Sequence, residues 1–279
     1  MLKQRVITGI ILAVGFLVAL FALPTYGFIA LITAVLAFAA WEWSHLAGFT
    51  SAMGRGFYMF AVVAIAAALA AYLGFEQNIL LAEKPRFLLL LACTWWAIAV
   101  LWVQSYPSSA ILWGRRWVSL LMGVFVLLPM WLAFAGLMSL AEGPQLVLAV
   151  VLLVALADIG GYFVGRAIGR TKLAPKVSPG KTWEGLLGGQ LAIAIVVVAS
   201  GWFLDFEALR IGLWLGLAMV TGLASVLGDL LESMVKRHRG VKDSGTILPG
   251  HGGVLDRIDG LTAALPVFSL VLSLLYSRL

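Results

Sequence analysis

The chain of 279 residues is poor in charge and in cysteine, which narrows the classes of protein it can belong to. Charged residues make up 11% of the composition and apolar residues 62%, more apolar surface than one soluble core of this size could bury. A single cysteine, Cys93, excludes an intramolecular disulfide and a cysteine-based zinc site. The three histidines are scattered and do not form a metal-binding motif. The composition therefore indicates an integral membrane protein.

Nine apolar stretches are long enough to cross a hydrocarbon layer of roughly 30 Å as helices. We therefore predict an all-α polytopic membrane protein with about nine transmembrane helices. The predicted spans are 6–23, 27–44, 57–75, 87–104, 117–139, 145–166, 186–204, 209–231 and 260–277. Pro129 could kink the fifth span or divide it into two short helices. Lys3 and Arg5 could mark a secretory signal, but the apolar run is long and lacks an A-x-A site, which favours a retained first helix.

Lysine and arginine concentrate in alternate loops, and this pattern predicts the orientation in the membrane. With the N-terminus inside, 15 of the 19 basic residues fall in inner segments, and only Lys84, Arg86, Arg210 and Arg278 fall outside. The inner residues are Lys3, Arg5, Arg55, Arg115, Arg116, Arg166, Arg170, Lys172, Lys176, Lys181, Lys236, Arg237, Arg239, Lys242 and Arg257. We predict a cytoplasmic N-terminus and a basic inner face that suits anionic membrane lipids, with no nucleic-acid partner.

Two segments, 158–184 and 229–259, interrupt the apolar pattern and hold 17 of the 32 charged residues. Both are cytoplasmic in the predicted topology, so they can meet on one side of the membrane. We divide the chain into N-terminal membrane helices at 1–140 (spans 1 to 5) and C-terminal membrane helices at 141–279 (spans 6 to 9), which carry both polar segments. Cytoplasmic loops are predicted at 166–185 and 236–259. Topology alone explains the basic residues of these segments but not the acidic ones.

Asp158 and Asp229 each follow a long apolar run and are predicted to lie at or below the membrane surface. A carboxylate is costly there and usually pairs with a cation or binds a ligand. On a helix, one stripe would hold Asp229, Glu232, Ser233 and Lys236. For Glu232 the simpler alternative is an intrahelical pair with Lys236. No basic residue has the spacing for such a pair with Asp229.

The second polar segment ends in the stretch KRHRGVKDSGTILPGHGGVLDRIDG, which is basic at its start and rich in glycine. Asp256 and Asp259 follow at the start of the last span. Carboxylates from two helix ends offer hard oxygen ligands for Mg²⁺, and a basic loop neutralises phosphate oxygens. This combination is what a phosphoryl-type transfer involving a nucleotide needs.

The first polar segment contains PGKT, the ending of a phosphate-binding P-loop. The full motif requires a glycine where this chain has proline and a preceding strand, so we reject it. Ser178, Lys181 and Thr182 could still hold phosphate oxygens. Alternatively, Ser178 and Pro179 could begin the next helix, with Glu184 favourable near its N-terminus. Both interpretations stay open.

The second predicted span ends in an aromatic-rich stretch, Trp41, Glu42, Trp43 and His45. Tryptophan is typical of the membrane interface. We interpret this stretch as part of an aromatic belt rather than as a ligand site.

The second polar segment resembles the signature of the phosphatidate cytidylyltransferases, also called CDP-diacylglycerol synthases. The chain satisfies that signature at seventeen positions between Ser233 and Asp259. They are Ser233, Val235, Lys236, Arg237, Lys242, Asp243, Gly245, Leu248, Pro249, His251, Gly252, Gly253, Val254, Asp256, Arg257, Ile258 and Asp259. The stretch SPGKTWEG is similar to a second block of that family, whereas the N-terminal half matches only in hydropathy.

The resemblance implies transfer of the cytidylyl group of CTP to phosphatidic acid, giving CDP-diacylglycerol and pyrophosphate. It implies Mg²⁺ and a second cation such as K⁺, with metal held by Asp229 and Asp256 and supported by Asp259. These three residues would act in catalysis together with Lys236 and Arg257. The residues implied to bind substrate are Ser178, Lys181, Thr182, Ser233, Arg237, Lys242, Asp243 and His251. A homodimer in the bacterial cytoplasmic (inner) membrane is also implied, with its active site facing the cytosol.

Two other classes are less consistent with the sequence. The CDP-alcohol phosphotransferase motif could begin at Asp259, but its arginine position holds Ala264 and no aspartate follows. A transporter would explain nine spans and acids near the membrane, but its site is expected near mid-membrane in broken helices. Here the charge collects on one face, beside glycine-rich loops.

Overall fold

The computed structural model describes residues 2–74 and 77–278, with side chains from Val6 onward. The side chains of Lys3 and Arg5, which contribute to the predicted orientation, lie outside this described part. Ten helices are present in it: α1 (Leu2–Ala22), α2 (Thr25–Leu46), α3 (Ala52–Leu73), α4 (Glu83–Gln104), α5 (Ala110–Trp113), α6 (Arg116–Met138), α7 (Gly143–Ile168), α8 (Trp183–Phe203), α9 (Ala208–Arg239) and α10 (Leu255–Leu275). Short 3₁₀ turns cover Ile79–Leu81 and Tyr276–Arg278.

Each predicted span corresponds to one long helix. Among the described residues, eight helices are long and apolar enough to cross a membrane, namely α2, α3, α4 and α6 to α10. The described side chains of α1 add a shorter apolar stretch, Val6–Ala22. Pro129 lies within α6, which continues unbroken past it, so a division of the fifth span is wrong. The chain is a multi-pass, all-α membrane protein.

Both predicted cytoplasmic loops contain more regular structure than expected. In the first, Lys172–Ala174 (β1) and Ser178–Thr182 (β2) form an antiparallel hairpin between α7 and α8. In the second, α9 runs to Arg239 and α10 begins at Leu255, so the irregular part narrows to 240–254. We call 240–254 the glycine loop. Its flanking residues Lys236, Asp256 and Asp259 are therefore helical rather than part of a loop.

Contacts between helix ends divide the connecting segments into two groups. At one end of the bundle, the ring of Trp113 on α5 lies 4.9 Å from the ring of His238 near the end of α9. At the other end, the amide of Asn78 before α4 donates to the Ser139 carbonyl after α6 at 3.0 Å. The end of α9 thus lies beside the segment before α6, and the segment before α4 lies beside the segment after α6, as the predicted topology requires.

Helix α10 lies in the interior of the bundle. It packs against α9, α6, α4, α7 and α2, and it is among the most buried of the spans, whereas α3 is the least buried. Phe268 and Leu265 on α10 are fully buried. The first turn of α10, which carries Asp256, is therefore held by helices from both halves of the chain.

Candidate active site

The two polar segments meet through the β-hairpin and the end of α9. The ammonium of Lys181 on β2 lies 2.6 Å from Oδ2 of Asp229 on α9. Nearby, Nε of Arg237 donates to the Val177 carbonyl at 3.3 Å. Asp229 also accepts from the Ser233 hydroxyl at 3.1 Å through its other oxygen. The cation that pairs with Asp229 therefore comes from the other segment, not from its own helix.

Asp256 in the first turn of α10 accepts four hydrogen bonds and is buried. Its Oδ2 accepts from the Ser244 amide at 2.9 Å, the Ser244 hydroxyl at 2.9 Å and the Gly253 amide at 2.8 Å. Its Oδ1 accepts from Nζ of Lys236 at 2.7 Å. A carboxylate offers about four acceptor positions, two on each oxygen. Oδ1 of Asp256, which accepts from Lys236, can therefore accept one more hydrogen bond or bind a cation.

Lys236 joins two buried carboxylates. Its Nζ lies 2.7 Å from Asp256 and 3.1 Å from Oε1 of Glu232, one turn earlier on α9. The intrahelical pair with Glu232, the simpler alternative for this residue, is present. Lys236 is 8% exposed and Glu232 3% exposed, so both charges depend on this pairing rather than on solvent.

Carboxylates from three helices lie within electrostatic range of one another. Asp259 on α10 interacts with Asp229 on α9 and with Asp158 on α7. Asp158 in turn interacts with the cations of Lys181 and Arg257. One oxygen of Asp259 accepts from the following amide, that of Gly260, at 2.7 Å. The structure thus brings together three acids that lie far apart in the sequence.

A cavity of about 370 Å³ lies between α7, α8 and the hairpin, and we call it the hairpin cavity. Its polar lining consists of Asp158, Tyr162, Arg166, Ser178, Lys181 and Thr182. Its apolar lining includes Leu173, Leu186 and Val226. Three of the residues predicted to bind substrate therefore share one cavity.

A second cavity of about 560 Å³ lies along the glycine loop, and we call it the loop cavity. Among its lining residues are Lys242, Asp243, His251 and Arg257. Six of the eight predicted substrate-binding residues are thus divided between these two cavities, and Ser233 and Arg237 line neither of them. Arg257 lines the loop cavity and lies within electrostatic range of Asp158 in the hairpin cavity.

The hairpin passes directly into α8, and Thr182 caps the helix. The Thr182 hydroxyl accepts from the Gly185 amide at 3.1 Å, as an N-cap residue does. The suggestion that Ser178 and Pro179 begin this helix is wrong, because both lie in β2. Both oxygens of Glu184 accept from the Thr171 amide, at 3.1 and 3.2 Å, which fixes the base of the hairpin.

Sequence reasoning missed Glu42. The aromatic-belt interpretation is wrong for Glu42 and Trp43, which are 1% and 0% exposed. The Trp43 ring donates to the Ser119 carbonyl at 2.8 Å inside the bundle. The Glu42 carboxylate contacts the glycine loop and the start of α10, more than 200 positions later. The signal available was a charged residue within an apolar span, which is rarely placed there without a partner.

No group of three or more His, Cys, Asp or Glu side chains surrounds a common point in the part of the chain that the structure describes. This geometry differs from an all-protein metal cage. Mg²⁺, however, is usually held by one or two carboxylates together with water and substrate phosphates. Asp229 and Asp256 are carboxylates of the kind used in that mode of binding, and the structure pairs them with Lys181 and Lys236 respectively.

Comparison with known proteins agrees with the signature residues. The sequence profile of the cytidylyltransferase family matches residues 3–275. A phosphatidate cytidylyltransferase of Pseudomonas aeruginosa is 47% identical over 277 residues, covering 98% of this chain and 97% of that protein. Its counterpart of Haemophilus influenzae is 40% identical over 287 residues, covering 96% and 98%. One of Staphylococcus aureus is 46% identical over 132 residues, covering 47% and 50%. On this evidence the chain belongs to the cytidylyltransferase family.

Proposed function

We propose that the chain transfers the cytidylyl group of CTP to phosphatidic acid, releasing pyrophosphate and forming CDP-diacylglycerol. The observation that carries this proposal is the 2.6 Å ion pair between Lys181 and Asp229, which joins the two polar segments beside the hairpin cavity. Acidic and basic groups collected at one end of the helices suit two substrates that both carry phosphate. The names of the full-length relatives support the same reaction.

The acidic groups of the site support a divalent cation. Asp259 lies within electrostatic range of two further carboxylates, those of Asp229 and Asp158, and a cation among them would relieve their mutual repulsion. Asp229 and Asp256 would hold Mg²⁺, with Asp259 in support. The bound ion would neutralise phosphate oxygens and stabilise the departing pyrophosphate. A second cation such as K⁺ is part of the same proposal.

The two cavities suit different substrates. Lys242, His251 and Arg257 in the loop cavity would bind phosphates of CTP. The hairpin cavity combines Lys181 and Arg166 with apolar residues, a lining that fits the phosphate and the glycerol end of a lipid. Ser178 and Thr182 would add hydrogen bonds to the same phosphate, and Arg237 and Ser233 lie beside this region.

The reaction requires little acid–base chemistry. A phosphate oxygen of phosphatidic acid attacks the α-phosphorus of CTP, the new P–O bond forms, and the bond to the β-phosphate breaks. A phosphate monoester has its second pKa near 6, so the nucleophile is already an anion at neutral pH. The harder task is to hold two anions in line, and Lys181, Arg257 and Lys242 would perform it.

We also propose a location and an oligomeric state for the chain. The chain would lie in a bacterial cytoplasmic (inner) membrane, with the glycine loop and the hairpin facing the cytosol and with membrane lipids around the bundle. It would form a homodimer. Labelling of a Thr246→Cys variant with a thiol reagent in closed vesicles tests the orientation. Cross-linking at low protein concentration tests the assembly.

The decisive experiment uses purified protein in detergent with CTP, phosphatidic acid and Mg²⁺. Formation of CDP-diacylglycerol together with equimolar pyrophosphate is the expected result, and EDTA should abolish it. Omission of phosphatidic acid is the matched control and should give no pyrophosphate. Lipid-dependent ion flux without pyrophosphate would instead indicate a transporter and would overturn the proposal.

A further inference from the structure

Glu42, on α2, is bonded to the segment that carries the signature residues. Its Oε1 accepts from the Val254 amide at 3.0 Å, and its Oε2 accepts from the Leu255 amide at 2.8 Å. Oε2 also lies 3.1 Å from the Ser244 hydroxyl. These contacts join the second helix of the chain to the last helix across more than 200 residues.

The two amide contacts supply a cap for α10. The first amides of a helix have no acceptor within the helix itself. Val254, at the N-cap position, offers no side-chain acceptor for them. The Glu42 carboxylate accepts from two of these groups and places a negative charge at the positive end of the helix dipole. The cap of α10 therefore comes from the N-terminal half of the chain.

Glu42 also explains two glycines of the signature. A Cβ at Gly245 would collide with Oε1 of Glu42, and one at Gly253 would collide with the Ser244 hydroxyl and with Oε2 of Glu42. At Gly245 all three of the nearest atoms belong to Glu42. Real Cβ atoms do not approach other atoms so closely, so the glycine loop can wrap the carboxylate only without side chains at these positions.

The same segment holds Asp256. Ser244 donates to Asp256 through its amide, and Gly253 does so through its own amide, at 2.9 and 2.8 Å. The Ser244 hydroxyl and the amide of Leu255, the residue before Asp256, both donate to Glu42. A shift of the Glu42 carboxylate would therefore move the donors of Asp256 and the first turn of α10.

We propose that Glu42 is a positioning residue for cytidylyl transfer: it fixes the glycine loop and the start of α10 so that Asp256 and Arg257 face the substrates. This inference rests on the proposed function for its effect on activity. Its effect on structure can be measured separately.

Glu42→Gln is the first test, because it keeps the shape of the side chain but replaces one acceptor oxygen with a donor that faces an amide. We expect kcat to fall about 100-fold, the order of loss known for misplacement by about 1 Å. KM for phosphatidic acid should change much less, because the contacts of Glu42 lie in the glycine loop and not in the hairpin that would bind this lipid. Glu42→Asp should recover part of kcat. The matched control is Glu83→Gln, at an exposed position at the start of α4, which should leave kcat unchanged.

Gly245→Ala provides a second test, which compares its effect on kcat in the wild-type protein with its effect in a Glu42→Ala variant. In the wild-type background the new methyl group collides with Glu42, so kcat and the melting temperature should both fall. In a Glu42→Ala background the colliding atoms are gone, and Gly245→Ala should cause little further loss. Additive losses in the double variant would overturn the proposal.

Hydrogen exchange separates this proposal from the proposed function. In Glu42→Gln the amides of Val254 and Leu255 should exchange at least 10-fold faster than in Glu83→Gln. If the wild-type protein released no pyrophosphate, the proposed function would be refuted. The exchange rates of Val254 and Leu255 would still test whether Glu42 holds the start of α10. Unchanged exchange at both amides, or a Glu42→Gln variant with wild-type kcat, would overturn the positioning role.

Discussion

Lys181 on the hairpin lies 2.6 Å from Asp229 on α9, and this pair joins the two polar segments of the chain. The lysine also lines the hairpin cavity, beside Ser178 and Thr182. A cation in this position can neutralise a substrate phosphate while it orients a carboxylate of the site.

Replacement of Lys181 by Met should lower kcat/KM for phosphatidic acid about 100-fold, the order of loss for removal of one transition-state donor. The variant keeps most of the side-chain volume and loses only the charge. Lys172→Met, which removes an exposed lysine from the same hairpin, is the control and should stay within threefold of wild type. Equal rates for the two variants would show that the hairpin cation has no part in transfer.

Asp256→Asn should abolish most turnover, because the amide nitrogen is a donor and faces either Lys236 or the donors of the glycine loop. We expect a loss of at least about 100-fold at saturating Mg²⁺. Asp205→Asn, an exposed position between α8 and α9, serves as the control. Near-normal turnover in folded Asp256→Asn would refute the proposed metal role.

Lys236→Met should destabilise the protein by about 3–5 kcal/mol, because it leaves Glu232 and Asp256 buried without their shared cation. Thermal unfolding in detergent measures the effect. Addition of Glu232→Gln to this variant removes one uncompensated charge and should restore part of the lost stability. A double variant no more stable than Lys236→Met would argue against the pairing.

Thr182→Ala should cost about 1 kcal/mol of stability through loss of the cap on α8. Thr182→Ser keeps the hydroxyl and should retain the wild-type melting temperature. The two variants also distinguish the capping role of Thr182 from a role in substrate binding. If the hydroxyl contacts substrate as well, Thr182→Ala raises KM for phosphatidic acid and Thr182→Ser does not.

The transmembrane architecture was predictable because an apolar run of sufficient length has one stable solution in a bilayer. Pro129 was the uncertain point, and α6 continues past it. The hairpin was missed for a physical reason. Its strands have three and five residues, and the second contains proline and glycine, so neither shows the alternating pattern of a longer strand.

The candidate site was predictable to the extent that its residues lie close in sequence or share a helix stripe. The stripe that includes Asp229 and Ser233 is an example, and the structure links the two at 3.1 Å. The pairing of Lys181 with Asp229 depends on how the helices pack, which spacing does not reveal. Glu42 was missed because its partners, such as Leu255, lie in the opposite half of the chain.

Ser244 lies between the two carboxylates that frame the glycine loop, 3.1 Å from Glu42 and 2.9 Å from Asp256. A hydroxyl carries one hydrogen, so it can donate to only one of these acids at any instant. The two acids therefore compete for a single proton donor. The acid that the hydroxyl leaves still accepts from backbone amides, so the first half of the chain and the catalytic end of α10 can share this donor without either carboxylate losing all of its partners.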